Sequence, residues 1–467
     1  MIGAGVSGLK AATTLVDLGK LSTSQIMVLE AEDRIGGRLN TDRTSSRLGM
    51  HYDLGASWFH DALSNVVLQE LEQDGSLDWN NDVYFDDKDS GFYDADGKVD
   101  VQNMKVNRVV EEVAKFIELY FYDSIDTTDI SLQEITNIYL ERYRARLTSD
   151  QQKYVVKMIR QLELWYGITW DNISAKYAIM DHQGRNLFNV KGYDFLIQKL
   201  AKLVGPSIKT GQKVVSIKRD CNPTELGKIL LTTSTGSKIY CNNLIVTVPL
   251  SVLQLSPEQG ISWTPQLPRN IVDALDTIHF GALGKVIFEF DNVWWDEDQD
   301  RFEILDNGEH KNPGTPLTDL PAPFSYPAYI INVASSRRPQ RVPALLILTQ
   351  APLTNYLEAH PNEAWKYFKP MLAKLKGDDK VLSDPINVIT TNWTTNPNFG
   401  GSYASLYTND DPSDLIVQLC GDYPGTGLLN NNIKFAGEHT ILDGAGCVHG
   451  AYASGKRAAN YILENYK

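Results

Sequence analysis

Gly3-Ala4-Gly5-Val6-Ser7-Gly8 constrains this chain more than any other stretch of it. Glycines at this spacing let a strand-to-helix turn tighten. They also let a pyrophosphate approach the backbone, where the N–H groups of a helix N-terminus face it. The pattern is short and weak when it stands alone. Its discriminator is Glu30, 22 residues past Gly8, which closes the apolar run from Ile26 to Ala31 where a ribose hydroxyl needs an acceptor. Gly3, Gly5, Ser7, Gly8 and Glu30 are therefore candidate dinucleotide contacts.

Periodicity extends this start into an alternating chain. It predicts helices over 8–19, 62–74, 104–120, 131–146 and 150–166, the last four lying between two sheet-like parts. Strand-like runs follow at Ile208 to Arg219, Ile229 to Thr235, Ile239 to Val248, Lys285 to Phe290, Tyr329 to Ala334 and Leu345 to Gln350. A helix is expected around 355–375, a short strand from Ile433 to Ala436 and a closing helix from about Val448 to Asn465. Segment 291–328, rich in Asp, Asn, Gly and Pro, reads as an irregular excursion. The nucleotide-binding part recurs at the beginning, middle and end, so the domains are discontinuous.

At 467 residues the chain suits two or three domains and buries a core without staples. Its four cysteines form no C-x-x-C or zinc spacing, so reduced thiols are expected, with no structural metal. A net charge of −14 argues against a nucleic-acid partner. The charge suits a cationic substrate, although acidity also serves solubility alone. Residues 78–100 carry eight Asp against two Lys, and with Asp96-Gly97 as a turn they read as a solvated hairpin. Apolar runs are too short to span a bilayer, and neither end carries a recognisable address. The expectation is a cytoplasmic protein, a monomer or homodimer with no membrane partner.

Asp33-Arg34-Ile35-Gly36-Gly37-Arg38 follows Glu30 closely, and its glycines and guanidinium groups suit a pyrophosphate. Taken alone it is also a plain turn with surface arginines. Behind a ribose acid, D-R-x-G-G-R resembles the flavin amine oxidase family. Asp53-Leu54-Gly55-Ala56-Ser57-Trp58 matches the family's next block, where small residues let the chain pass close to the flavin. Phe435-Ala436-Gly437-Glu438-His439 is similar to its last strand and turn, which implies that Glu438 binds the ribityl chain. Asp443 to Ala451 then opens the final helix. The resemblance implies that the amides near Cys447 and Val448 lie at the flavin N1–C2=O edge, where a helix N-terminus stabilises negative charge. The Cys447 side chain reads as packing more than as thiol chemistry.

The resemblance covers Gly3 to about Ala459. It implies an α/β fold, with a Rossmann-like FAD-binding domain of glutathione-reductase type built from 1–62, 190–259 and 388–467. An α+β substrate-binding domain from 63–189 and 260–387 is interleaved with it. Ala31, Gly37, Arg38, Gly55, Ala56, Ser57, Val214, Trp393 and Gly437 join the implied FAD contacts. In Phe399-Gly400-Gly401-Ser402-Tyr403, Ser402 stands where covalently flavinylated monoamine oxidases have cysteine, so FAD is expected to be non-covalent.

Three stretches are similar to fungal polyamine oxidases that act on spermine: Gly55 to Asp61, His279 to Lys285, and Gln350 to Asn355. No Ser/His/Asp or H-E-x-x-H pattern appears, which fits chemistry in which the cofactor accepts the hydride while the protein positions the amine. The resemblance makes Lys285 the flavin N5 partner, through a water. A lysine at a strand start is usually solvated, but Gly281, Gly284 and Val286-Ile287-Phe288 argue for burial. His60 matches the second active-site group, against the ordinary structural reading of a lone histidine. Trp58, Trp165 and Tyr403 are candidates to wall the substrate, whose cationic stem lies against π-faces, with Trp393 behind the isoalloxazine. Trp393 and Tyr403 read as loop residues. Trp165 ends Leu162-Glu163-Leu164-Trp165, where core packing is equally open. His182-Gln183-Gly184-Arg185-Asn186 resembles a family segment entering the site. The implied reaction converts spermine to spermidine and 3-aminopropanal, with dioxygen reduced to hydrogen peroxide, and acetylated polyamines are the other substrates the resemblance allows.

Only Met1 and Ile2 precede Gly3, whereas the family has a longer apolar strand there. An incomplete gene product is therefore expected, or poor FAD binding. A monoamine or amino-acid oxidase, and an inactive FAD-less homologue, are the competing readings.

Overall fold

The computed structural model describes residues 1–18, 21–85, 90–122, 127–179, 183–219, 228–308, 315–337, 340–420 and 432–465. His182 lies outside them. The chain is α/β, and two sheet systems meet at one cavity.

The first system is parallel. Val28–Leu29 pairs with Ile208–Lys209, and Leu244–Val246 pairs with Ile433–Phe435. Ile2 bridges the two pairs, parallel to both Leu29 and Val246. Its N–H donates to Ile245 O at 2.9 Å and its carbonyl accepts from Thr247 N at 2.9 Å. The short run ahead of Gly3 therefore supplies backbone partners between the two strand pairs. Val6–Asp17 and Val448–Asn465 cross tightly over it. A Cβ on Gly455 would sit 2.2 Å from Ser7 O, so glycine is what allows the two helices to touch. Lys238–Cys241, Ile229–Thr233, Val214–Lys218 and Ser262–Thr264 form a separate four-stranded sheet.

The second system is a seven-stranded mixed sheet. In order it runs Asn387–Thr390, Gly284–Glu289, Ala344–Thr349, Ala328–Asn332, Arg301–Ile304, Gly91–Asp94 and Gly97–Val99. Every residue of Gly284–Glu289 and Ala344–Thr349 is buried, because both faces of the sheet are covered. Strand alternation puts Val286, Phe288, Leu345 and Ile347 into one core, against Tyr367, Phe368 and Met371. Ile287, Leu346 and Leu348 lie in another core, with Tyr52 and Phe188. Lys285 shares the parity of Ile287, and it faces the cavity for that reason. Asp94-Ala95-Asp96-Gly97 is the expected turn, but its strands join this sheet and are not a free hairpin.

Two single helices expected from periodicity are each broken. His360 precedes Pro361 and takes φ −131°, ψ 61°, which ends Leu353–Ala359 before Ala364–Leu372 begins. Residues 150–166 form Ser149–Ile159 and Leu162–Tyr166. At that break the buried Arg160 donates from Nε to Glu163 Oε1 at 2.9 Å and from Nη1 to Asp306. The strand Ala328–Asn332 is likewise shorter than expected. The Asn332 side chain caps the next helix, accepting from Ala334 N at 3.1 Å. The described part of the irregular excursion includes a strand, Arg301–Ile304.

Candidate active site

The glycine turn is fixed from both sides. Gly3 N donates to Leu29 O at 2.8 Å, and Ala4 N donates to Glu30 Oε2 at 2.7 Å. Gly8 does not face the cavity. A Cβ there would lie 2.1 Å from Gly3 O, so its bare Cα is what lets helix and turn close on each other. Gly36 N donates to Ala4 O at 2.9 Å, which brings Gly36, Gly37 and Arg38 alongside the turn. Burial raises the Glu30 carboxyl above its ordinary range, and the amides of Glu32 and Ala4 offset only part of that. Each of its oxygens keeps a second lone pair for a hydroxyl.

Arg38 and Glu438 form a bridge across the site. Arg38 Nη1 donates to Glu438 Oε1 at 2.9 Å and to Ser402 O at 2.8 Å, and Glu438 Oε2 accepts from Gly446 N at 3.2 Å. Burial alone would raise the Glu438 carboxyl, but Arg38, His439 and the Ala404 amide together outweigh it and hold the pKa below the ordinary range. Arg34, grouped with Arg38 by the sequence, is not on the cavity wall. Its Nη2 donates to Gly37 O at 2.9 Å and pairs with Glu32 at 3.0 Å, so it braces the loop from outside.

These elements enclose one cavity of about 940 Å³. Its wall includes Gly3, Gly5, Ser7, Glu30, Ala31, Gly37 and Arg38, then Gly55, Ala56, Ser57, Val214, Trp393, Gly437, Glu438, Cys447 and Val448. Trp393 is held by a bond from Nε1 to Leu54 O at 3.1 Å. Burial drives the Cys447 thiol up to about 12, which leaves it unreactive and supports the packing reading. Ser402 Oγ accepts from Leu283 N at 2.8 Å and donates to Gly281 O at 3.0 Å.

Lys285, 3% exposed, reaches the same cavity from the seven-stranded sheet. Nζ donates to Asp53 O at 2.7 Å, to Ser57 Oγ at 2.5 Å and to Gly55 O, which occupies all three ammonium hydrogens. Burial lowers its pKa, and the Asp53 carboxylate opposes that shift. His60 Nδ1 lies 3.1 Å from Asn186 Oδ1, and Asp61 N lies 3.4 Å from the same atom. A backbone N–H can only donate, so the oxygen is fixed there and Nδ1 carries the hydrogen. Trp58, His60, Trp165 and Tyr403 all line the cavity. Tyr403 opens a short strand, Tyr403–Ser405, where a loop was expected, and its hydroxyl donates to Trp165 O at 2.5 Å. Trp165 is 41% exposed and is therefore cavity wall, not core.

Sequence reasoning passed over Tyr329, Leu348 and Arg301, which also line this end. They sit on strands remote in sequence, and only sheet register puts Leu348 and then Tyr329 in the row of Lys285, with Arg301 two residues along the register and two strands beyond Leu348. Asn186 was within the singled-out segment but without a role.

A dinucleotide fits these residues on their own geometry. A Cβ on Gly5 would meet only Gly36 O, at 3.9 Å, so the turn leaves the backbone open to the cavity. Among the described residues, no side chain caps helix Val6–Asp17, which leaves its first-turn amides for a ligand. Among the described residues there is no cluster suited to a metal ion, and no helix long and apolar enough to cross a membrane.

Residues 6–463 match the family model for flavin-containing amine oxidoreductases. The chain is 50% identical over 469 residues to the corticosteroid-binding protein of Candida albicans, spanning 100% of this chain and 95% of that one. It is 28% identical over 494 residues to polyamine oxidase 2 of Arabidopsis thaliana, spanning 100% and 89%. Lysine-specific histone demethylase 1 homolog 2 of the same plant is 28% identical over 482 residues, spanning 99% and 58%.

Proposed function

We propose, from the premise that this chain belongs to the flavin-containing amine oxidoreductases and so oxidises CH–NH groups with FAD, that its substrate is a polyamine such as spermine and its final acceptor dioxygen. The balance is spermine, dioxygen and water in; spermidine, 3-aminopropanal and hydrogen peroxide out. Lys285 carries this reading: a buried amino group presented to an aromatic-walled cavity beside Gly55 and Ser57.

Bound FAD supplies the two-electron acceptor. The first-turn amides of Val6–Asp17 would hold its pyrophosphate and Glu30 its ribose. Glu438, braced by Arg38, would take the ribityl chain, and the amides at Cys447 and Val448 the N1–C2=O edge. Ser402 cannot form a thioether, so the cofactor is held non-covalently. Residues 1–62, 190–259 and 388–467 are assigned to the cofactor and 63–189 with 260–387 to the substrate.

Trp58, Trp165 and Tyr403 offer π-faces to the methylene and ammonium groups of a polyamine. The contact between His60 Nδ1 and Asn186 Oδ1 holds the imidazole in place on the same wall, where it would orient the amine. Relatives named polyamine oxidases, at 26–28% identity, support the substrate class.

A steroid ligand is the second reading. The name of the Candida relative and an apolar part of the cavity wall at Val252, Leu255, Ile278, Leu406 and Ile416 favour it. Anaerobic mixing of the yellow protein with spermine tests both. Bleaching of the flavin bands supports the polyamine reading. Absence of bleaching, with tight corticosterone binding, replaces it.

A further inference from the structure

A second cavity, of about 20 Å³, shares the Ser57 wall with the large one and is lined also by Asp53, Asn189, Ser336, Arg337 and His51. One water needs about 10–15 Å³ and two to four polar partners. Asn189 is 2% exposed, and its Oδ1 accepts from Lys191 N at 3.1 Å. Its Nδ2 is buried with no hydrogen-bond partner among the described residues. A stranded amide donor costs about 1–3 kcal/mol, so this one calls for an acceptor. On the same wall, Ser57 Oγ accepts from Lys285 Nζ at 2.5 Å but has only long contacts for its own hydrogen, 3.3 Å to Asp53 O and 3.5 Å to Gly55 O.

We propose that this small cavity is a binding site for one water molecule. The water accepts from Asn189 Nδ2 and joins Ser57 to the Asp53 carboxylate. It gives the proton on Lys285 an exit that bypasses the substrate cavity. The proposal rests on the role given to Lys285 above. In the transfer, Lys285 Nζ passes one proton to Ser57 Oγ, Ser57 passes its own hydrogen to the water, and the water passes one of its hydrogens to the Asp53 carboxylate, which becomes the neutral acid; nothing is oxidised. On the far side Arg337 Nη2 lies 3.3 Å from His51 Nε2, and His51 is half-buried at the edge of the fold.

The charges around the path suit proton sharing. Asp53 accepts from Thr41 Oγ1 at 2.5 Å and Tyr193 N at 3.0 Å, and it faces Lys285, Arg337, Arg43 and Asp194. Tyr52 and His51 complete the titratable groups at the cavity, the tyrosine raised and the histidine lowered by burial. Burial raises the Asp53 carboxyl while it lowers the Lys285 ammonium, which brings the two proton affinities closer together.

A high-resolution crystal structure of the whole protein tests the site itself. An ordered water within hydrogen-bond reach of Asn189 Nδ2 is expected, and an empty or side-chain-filled cavity overturns the proposal. The path is tested with Asn189→Leu, and with Ser336→Val from the opposite wall should the first variant not fold. The pH midpoint of single-turnover flavin reduction should move by about one unit while the amount of bound FAD stays the same. A profile superimposable on the unsubstituted protein refutes the path. The water is read from protein with or without cofactor, so a colourless crystal holding it would sink the flavin reading and leave the site standing.

Discussion

At the scale of single residues, the site depends on ionisable groups kept out of water and on the acceptors that make this tolerable. Lys285→Met removes the donor shared by Asp53 O, Gly55 O and Ser57 Oγ, yet leaves the glycine turn and Glu30 untouched. FAD content should therefore persist, while anaerobic flavin reduction by spermine slows by about 10²-fold or more; stopped-flow absorbance measures both. Glu438 gives the clearest pH signature. Its folded pKa lies below the ordinary 4.5, so its contribution is complete above that value and disappears as pH falls through the folded pKa. Glu438→Gln should cost about 1–3 kcal/mol near pH 7, and the gap between the two melting curves should close below pH 4.5. A gap independent of pH would mean that the Arg38 pairing contributes nothing.

At the scale of elements, close approach and buried charge decide what may change. Gly455→Leu would drive a side chain into Ser7 O, 2.2 Å from the Cβ position, and force the first and last helices apart. Loss of FAD binding together with a lowered melting temperature is expected. Arg160→Met leaves Glu163 and Asp306 buried without their cation. Breaking such a group costs about 3–5 kcal/mol, and the helix Leu162–Tyr166, which carries Trp165, should loosen with it. Denaturant unfolding reads the first effect, and weaker polyamine binding the second. These elements also show what periodicity could reach. The helices expected over 62–74, 104–120 and 131–146, found as Val66–Gln73, Val106–Tyr122 and Leu132–Tyr143, were legible because one apolar face per helix is local information. The break at Arg160 was not, because its cause is Asp306, far away in sequence. Lys285 was placed in a strand and expected to be buried, but its neighbours Tyr329 and Leu348 come from register, which no local pattern records. The cofactor cradle was the most legible part, since glycines forced by backbone contact, as at Gly8, leave their mark directly in the sequence.

For the molecule as a whole, two sheet systems close on one chamber, and the net charge of −14 surrounds it. Long-range attraction for a polycation is screened beyond about 8 Å at physiological ionic strength. The second-order rate of flavin reduction by spermine should accordingly fall as salt rises, with the limiting first-order rate unchanged; a salt-independent rate would reduce the acidic surface to a matter of solubility. The chamber also collects tryptophans. Three of the nine in the chain, Trp58, Trp165 and Trp393, line it. Indole light emitted there falls on whatever yellow chromophore occupies the space, so emission from the emptied protein should dim as FAD is added back. The molecule thus carries its own optical gauge of how full it is.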